Sequence, residues 1–102
     1  MLSDEVTDEF HRQCAALDDA RDRVMVEQKR VEVLLLEAGQ AAVSFHQQFG
    51  SADSDGLRTI SLITDEANYR VHAHARELLK SLDDEGDRLS YEYRKFLNTQ
   101  ED

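Results

Sequence analysis

Apolar and small residues recur along the first half of the chain at alternating spacings of four and three residues. The positions are Phe10, Cys14, Leu17, Arg21, Val24, Gln28, Val31, Leu35, Ala38, Ala42, Phe45 and Phe49. Such spacing is typical of a coiled-coil seam, the stripe along which one helix packs on another. No proline occurs in the chain to interrupt it. The pattern predicts one long helix over about residues 3–49.

The second half of the chain repeats this pattern less strictly. Its apolar residues on one face are Leu57, Ile60, Ala67, Val71, Ala75, Leu78, Leu82, Leu89, Tyr93 and Phe96. Between the halves lies the only cluster of turn-forming residues, QQFGSADSDG, in which Gly50 suits the end of a helix and Ser54 or Asp55 the start of the next. We therefore predict a single all-α domain, an antiparallel two-helix hairpin, that turns after Phe49.

In this hairpin the turn would span about residues 50–55 and the second helix about residues 56–97. Folding about residue 53 would pair positions whose numbers sum to about 106. The charged Arg21 of the first seam would then lie opposite Glu85, and this ion pair could set the register of the two helices. Alternatively, both long side chains extend separately to water.

The net charge is −10, and each half of the chain holds −5: five basic and ten acidic residues in 1–52, seven and twelve in 53–102. An evenly negative surface repels the phosphates of nucleic acids and anionic lipids, so it argues against both as ligands. No apolar run is long enough to insert into a membrane, and the acidic N-terminus lacks the features of a signal peptide. These features favour a cytoplasmic protein with a protein partner.

Several apolar residues lie off the predicted seams. At 100° per residue, Val33, Leu36 and Val43 would point away from the first seam, as Leu62 and Tyr69 would from the second. A hairpin of two helices cannot cover its own outer surface, so these residues are candidates for partner binding or self-association. Scattered apolar surface residues, which are common on soluble proteins, are the alternative.

No group of residues predicts catalysis, a metal site or a cofactor. His72 and His74 are two residues apart, so on a helix they point in different directions and cannot chelate one metal ion. The single cysteine, Cys14, lies on the seam, where a thiol packs as a small apolar group. We therefore expect a non-enzymatic protein.

The hairpin pattern, the length and the charge of this chain resemble the WXG superfamily of type VII secretion. In particular, the stretches VEQKRVEVLLLEAGQAAVSFHQQFG and DDEGDRLSYEYRKFL are similar to small helical partners of LXG toxins in Gram-positive bacteria. The chain departs from the family at the turn, where Phe49-Gly50-Ser51 replaces Trp-x-Gly. It also lacks the C-terminal export signal, an aromatic residue followed four positions on by an acidic one.

The resemblance implies a chaperone or targeting factor that binds the helical N-terminal domain of an LXG toxin and completes a helical bundle with it. Because the export signal is missing, the chain would be an adaptor, cytoplasmic or exported together with its client. Two alternatives stay open. One is a homodimeric four-helix bundle that serves as a scaffold or regulatory subunit, and the other is a chaperone of flagellar or type III substrates.

Overall fold

The computed structural model describes residues 2–50 and 54–101, except for the side chains of Ser54 and Glu101. Two α-helices, α1 (Leu2–Phe49) and α2 (Ser54–Glu101), form an antiparallel hairpin, which confirms the predicted all-α fold. Asp4 and Glu5 lie in the first turn of α1, where carboxylates interact favourably with the helix dipole. The helices begin and end close to the predicted positions, but α2 starts two residues earlier and ends four residues later.

The end of α1 is organised around His46. The amide of Gly50 donates a hydrogen bond of 2.7 Å to the carbonyl oxygen of His46, which satisfies one of the last carbonyls of the helix. The His46 ring lies against Gly50 and Gly56, so a side chain at either glycine would meet the ring. Gly50 does not have a positive φ, and glycine is therefore needed here for space. The rest of the predicted turn, residues 51–53, lies outside the described residues.

Tertiary contacts divide the hairpin into two units. We call residues 2–24 with 77–101 the terminal unit, and residues 25–50 with 54–76 the turn unit. Each unit is a pair of antiparallel helical segments, one from α1 and one from α2.

The register of the pairing differs from the predicted one by almost one helical turn. In the terminal unit Phe10 contacts Tyr93, and in the turn unit Glu32 contacts His72. Partners in both units have numbers that sum to between 100 and 104, not 106.

The predicted pairing of Arg21 with Glu85 is consequently wrong. Arg21 forms its ion pair with Asp83, while Glu85 binds Arg88 of its own helix. The reason is that two apolar stripes can face each other in registers that differ by one helical turn, so their alignment alone does not determine which residues pair.

The seam of α1 also departs from its predicted course after Leu35. The half-buried positions continue through Gly39, Ala42 and His46, whereas the predicted seam residues Ala38, Phe45 and Phe49 are exposed. From Phe10 to His46 the inward-facing positions recur about every 3.6 residues, the ordinary repeat of an α-helix. A strict repeat of 3.5 residues drifts by about 20° per heptad around such a helix.

The core of the hairpin is thin. Among the described residues only Ala75 and Leu89 are buried, and α1 has no buried residue over positions 2–49. The accessible surface is 8100 Å², whereas a compact protein of this mass exposes about 5,900 Å². The chain thus leaves roughly 2,200 Å² more surface in water than a compact monomer would.

Candidate protein-binding surface

Large apolar side chains are exposed mainly on the turn unit. The described residues include fourteen of them, and ten belong to this unit: Met25, Val26, Val33, Leu34, Leu36, Phe45, Phe49, Leu62, Ile63 and Tyr69. The other four, in the terminal unit, are Leu2, Leu78, Tyr91 and Leu97. Concentration of apolar surface in one part of a protein is typical of interaction sites, because single exposed apolar residues would be spread more evenly.

Net charge, in contrast, is concentrated on the terminal unit. The sequence of the terminal unit, taken as 1–24 and 77–102, holds seven basic and fifteen acidic residues, a net charge of −8. Residues 25–76 hold five basic and seven acidic residues, a net charge of −2. The even division between the two halves of the sequence disappears on folding, because α1 and α2 each contribute to both units. The unit with the apolar surface is therefore nearly neutral.

One side of the turn unit carries a cleft beside Gly39. The cleft has a volume of about 470 Å³ and is open to solvent. Leu36, Val43, Leu57 and Ile60 supply its apolar lining, and Gln40, Ser44, Ser61, Thr64 and Asp65 its polar lining. Gly39 lies so close to α2 that a Cβ atom there would be 3.3 Å from Thr64 Oγ1. We call this the Gly39 cleft.

Two of the five predicted partner-binding residues line the Gly39 cleft, and the other three are exposed elsewhere on the turn unit. Leu36 and Val43 meet at the Gly39 cleft. Val33, Leu62 and Tyr69 are exposed and are not among the residues that line the cleft.

The expectation that Val43 points away from the hairpin is wrong, because Val43 is half-buried. The seam of α1 rotates toward it after Leu35, so that Val43 lies only about 60° from the direction that faces α2.

A second apolar surface, which the sequence prediction missed, lies on the side of the turn unit away from the cleft. Exposed residues of α1 form it: Leu34, Ala38, Ala41, Phe45 and Phe49. The rings of Phe45 and Phe49 touch, with centroids 5.0 Å apart, and their residues are 66% and 72% exposed. The spacing of these residues, at four, three, four and four positions, indicates one face of a helix. Three of them, Ala38, Phe45 and Phe49, were assigned to the predicted seam instead.

Ile63 of α2 belongs to the same side. It lies about 160° around α2 from the cleft residues Ser61 and Asp65, much as Phe45 lies about 180° around α1 from Leu36. Ile63 is 63% exposed. We call Ile63 and the five α1 residues together the phenylalanine face.

A polar cluster joins the two helices within the turn unit. Gln28 Nε2 lies 2.9 Å from His72 Nδ1 and donates to Glu32 Oε1 at 3.1 Å. His72 Nε2 lies 3.0 Å from the same carboxylate oxygen. The predicted register would place Leu78 opposite Gln28, whereas in the structure Gln28 has an intramolecular polar partner, His72.

Neither a metal site nor a membrane span appears in the part of the chain that the structure describes. Within residues 2–50 and 54–101, no three His, Cys, Asp or Glu side chains converge in a way that could hold a metal ion. Over the same residues, neither helix has an apolar stretch that could cross a bilayer.

Comparisons with protein-family models, with curated proteins and with solved structures return no match for this chain. The fold and the surface are therefore the basis on which a function can be argued.

Proposed function

We propose that this chain is a non-enzymatic binding protein whose turn unit docks a helical protein client. The observation that carries the proposal is the concentration of exposed apolar side chains on the nearly neutral turn unit. Burial of apolar surface provides most of the free energy of protein association, and a low net charge keeps the electrostatic cost of docking small.

The Gly39 cleft is the place on the turn unit that fits a helical client best. A helix that docks in a groove inserts apolar side chains at intervals of three and four residues. The cleft offers an apolar floor between two helices, and its polar side chains can accept or donate hydrogen bonds at the edge of the interface. A client helix laid there would pack against both α1 and α2, and would add a third helix to the pair.

We further propose that the client is the helical N-terminal domain of an LXG toxin exported by type VII secretion, with this chain acting as its chaperone or targeting factor. The resemblance in length, hairpin pattern and acidity to the small partners of these toxins supports this identification. In this proposal the chain acts as an adaptor, in the cytoplasm or exported with the client.

The test measures binding of the purified full-length chain to the N-terminal domain of an LXG toxin from the same host. Leu36→Glu would place a charge in the Gly39 cleft, and such burial costs several kcal/mol. Tyr69→Glu, alone and combined with Leu36→Glu, places a charge on an exposed position of the turn unit outside the cleft and tests whether the contact extends that far. A cost of about 4 kcal/mol would weaken binding roughly a thousandfold. Tyr91→Glu is the matched control, because Tyr91 is exposed to the same degree as Tyr69 but lies in the terminal unit.

Circular dichroism would establish that each variant keeps its helix content. Loss of binding by Leu36→Glu and the double variant, with Tyr91→Glu binding normally, supports docking on the turn unit. Normal binding by the double variant would refute it. If the wild-type chain does not bind the toxin domain at all, the identification of the client fails, whereas the general proposal of a docking surface then depends on a client found by other means.

A further inference from the structure

The phenylalanine face is an unpartnered apolar surface whose residue order points to its occupant. Along α1 its members follow one another as Leu34, Ala38, Ala41, Phe45 and Phe49, all exposed. None of these positions carries a charge, so the stripe could be buried without desolvating an ion.

The stripe is complementary to itself when it is read in the opposite direction. If two copies of α1 cross antiparallel with Ala41 and Ala42 at the centre, residues whose numbers sum to 83 face each other. Phe45 of one copy then faces Ala38 of the other, and Phe49 faces Leu34. A large ring meets a methyl group in the first pair, so the rings have room, and the small Ala41 lets the helices approach at the centre. A two-fold symmetric interface requires this kind of self-complementarity.

The charges favour contact through the same unit. Contact between two terminal units would bring together net charges of −8, whereas contact between two turn units brings together only −2 and −2. Like charges at an interface oppose association. Net charge therefore opposes association of two copies much less at the turn unit than at the terminal unit.

The surplus surface of the whole chain exceeds what one standard interface removes from a partner. A standard protein interface removes about 800 Å² from each partner. The chain exposes roughly 2,200 Å² more than a compact monomer of its mass, and much of its exposed apolar surface lies on the turn unit.

We propose that two copies of this chain associate through their phenylalanine faces, antiparallel along α1, with the Gly39 cleft of each copy left free. This inference goes beyond the proposed function and does not depend on it. The four helical segments of two turn units would then bury the phenylalanine faces, which a single hairpin cannot cover.

Sedimentation equilibrium of the full-length chain over a dilution series tests the proposal. We expect the mass of two chains for the wild type and of one chain for Phe45→Glu, with dimer affinity reduced at least a hundredfold by the buried charge. Leu36→Glu is the matched control on the opposite side, since Leu36 is also largely exposed, and it should remain dimeric.

A size swap tests the antiparallel alignment itself. Phe45→Ala should weaken the dimer because the ring is lost, and Ala38→Phe should weaken it because two rings then oppose each other. The double variant Ala38→Phe/Phe45→Ala restores one ring against one methyl group in each pair, and should therefore recover dimerisation.

A wild-type chain that sediments as a monomer throughout, or a double variant no better than its parents, would overturn the proposal. Equal disruption by Leu36→Glu would do so as well, because it would place the dimer contact at the cleft. The proposed function fails separately: it is refuted if the toxin domain binds Leu36→Glu/Tyr69→Glu normally, whatever the oligomeric state. A monomeric Phe45→Glu that still binds the toxin domain would support both assignments.

Discussion

The ring of Tyr93 stacks on the ring of Phe10, with centroids 4.2 Å apart and planes inclined by 5°. The hydroxyl of Tyr93 also lies 2.9 Å from Thr7 Oγ1, which is about one turn before Phe10 in α1. One side chain of α2 thus contacts two successive turns of α1. A slip of one turn between the helices would break both contacts, so Tyr93 is a determinant of register in the terminal unit.

Substitutions at Tyr93 should separate the two contacts. We expect Tyr93→Phe to lower the free energy of unfolding by about 0.5–1.5 kcal/mol, since it removes only the hydrogen bond. Tyr93→Ala should cost roughly 2–3 kcal/mol, because the stacked ring is also lost. Urea unfolding followed by circular dichroism measures both, with the exposed Tyr91→Ala as control at within about 0.5 kcal/mol of wild type. Equal effects at positions 91 and 93 would contradict the role of Tyr93.

A double-mutant cycle should detect the ion pair of Arg21 with Asp83. Both side chains are about half exposed, so we expect a coupling energy of only about 0.2–1 kcal/mol between Arg21→Ala and Asp83→Ala. The cycle of Arg21→Ala with Glu85→Ala should show no coupling, because Glu85 is bound to Arg88. Coupling between Arg21 and Glu85 without coupling between Arg21 and Asp83 would support the predicted register instead, in which the numbers of paired residues sum to 106.

Two glycines inside the helices should respond differently to alanine. At Gly86 a new Cβ would be 3.8 Å from Leu17 Cδ1, an ordinary contact, so Gly86→Ala should stabilise the hairpin by about 0.5–1 kcal/mol through helix propensity. At Gly39 the new Cβ would be 3.3 Å from Thr64 Oγ1, and this crowding should offset much of the same gain. Thermal or urea unfolding of the two variants gives the comparison. A larger gain at Gly39 than at Gly86 would mean that the helices separate more easily there than the structure indicates.

The pKa of Glu85 should be lower than that of an ordinary glutamate. Hydrogen bonding from the Arg88 guanidinium lowers the pKa of Glu85, and the same contacts with Glu85 and Glu92 raise the pKa of Arg88. Because the folded pKa of Glu85 is depressed, the pair contributes stability above the unfolded pKa, and this contribution is lost as the pH falls below about 4. Carbon-detected NMR titration would measure the Glu85 pKa, and Arg88→Gln should raise it. An unchanged midpoint in Arg88→Gln would show that Arg88 is not the cause.

The hairpin itself could be predicted from the sequence because two apolar stripes and one cluster of turn residues leave few alternatives. The apolar stripes alone did not determine which residues near the turn face the other helix. A strict heptad drifts by about 20° per repeat on a straight helix, so Phe45, five heptads after Phe10, is rotated by about 100° and becomes exposed. The bending that would keep a heptad seam in contact depends on the packing of both helices, and the repeat alone does not determine it.

The candidate surface was partly predictable for related reasons. Leu36, Leu62 and Tyr69 are exposed as expected, since they lie far from either seam. Val43 is half-buried, and the phenylalanine face was hidden by its assignment to the seam. The net charges of −8 on the terminal unit and −2 on the turn unit depend on which segments pair in space. They could not be seen when the charges were counted over the two halves of the sequence, each of which holds −5.

The unequal charge division has a consequence for the size of any assembly. A molecule with one strongly charged part and one nearly neutral, apolar part resembles an ionic surfactant. Each added copy gains a similar free energy from apolar contact, while the electrostatic repulsion among the charged parts increases with every copy. Assembly should therefore stop at a small number of copies. The Debye length shrinks from about 30 Å at 0.01 M salt to about 3 Å at 1 M salt. Salt should therefore relax this limit, and low ionic strength should favour the smallest species.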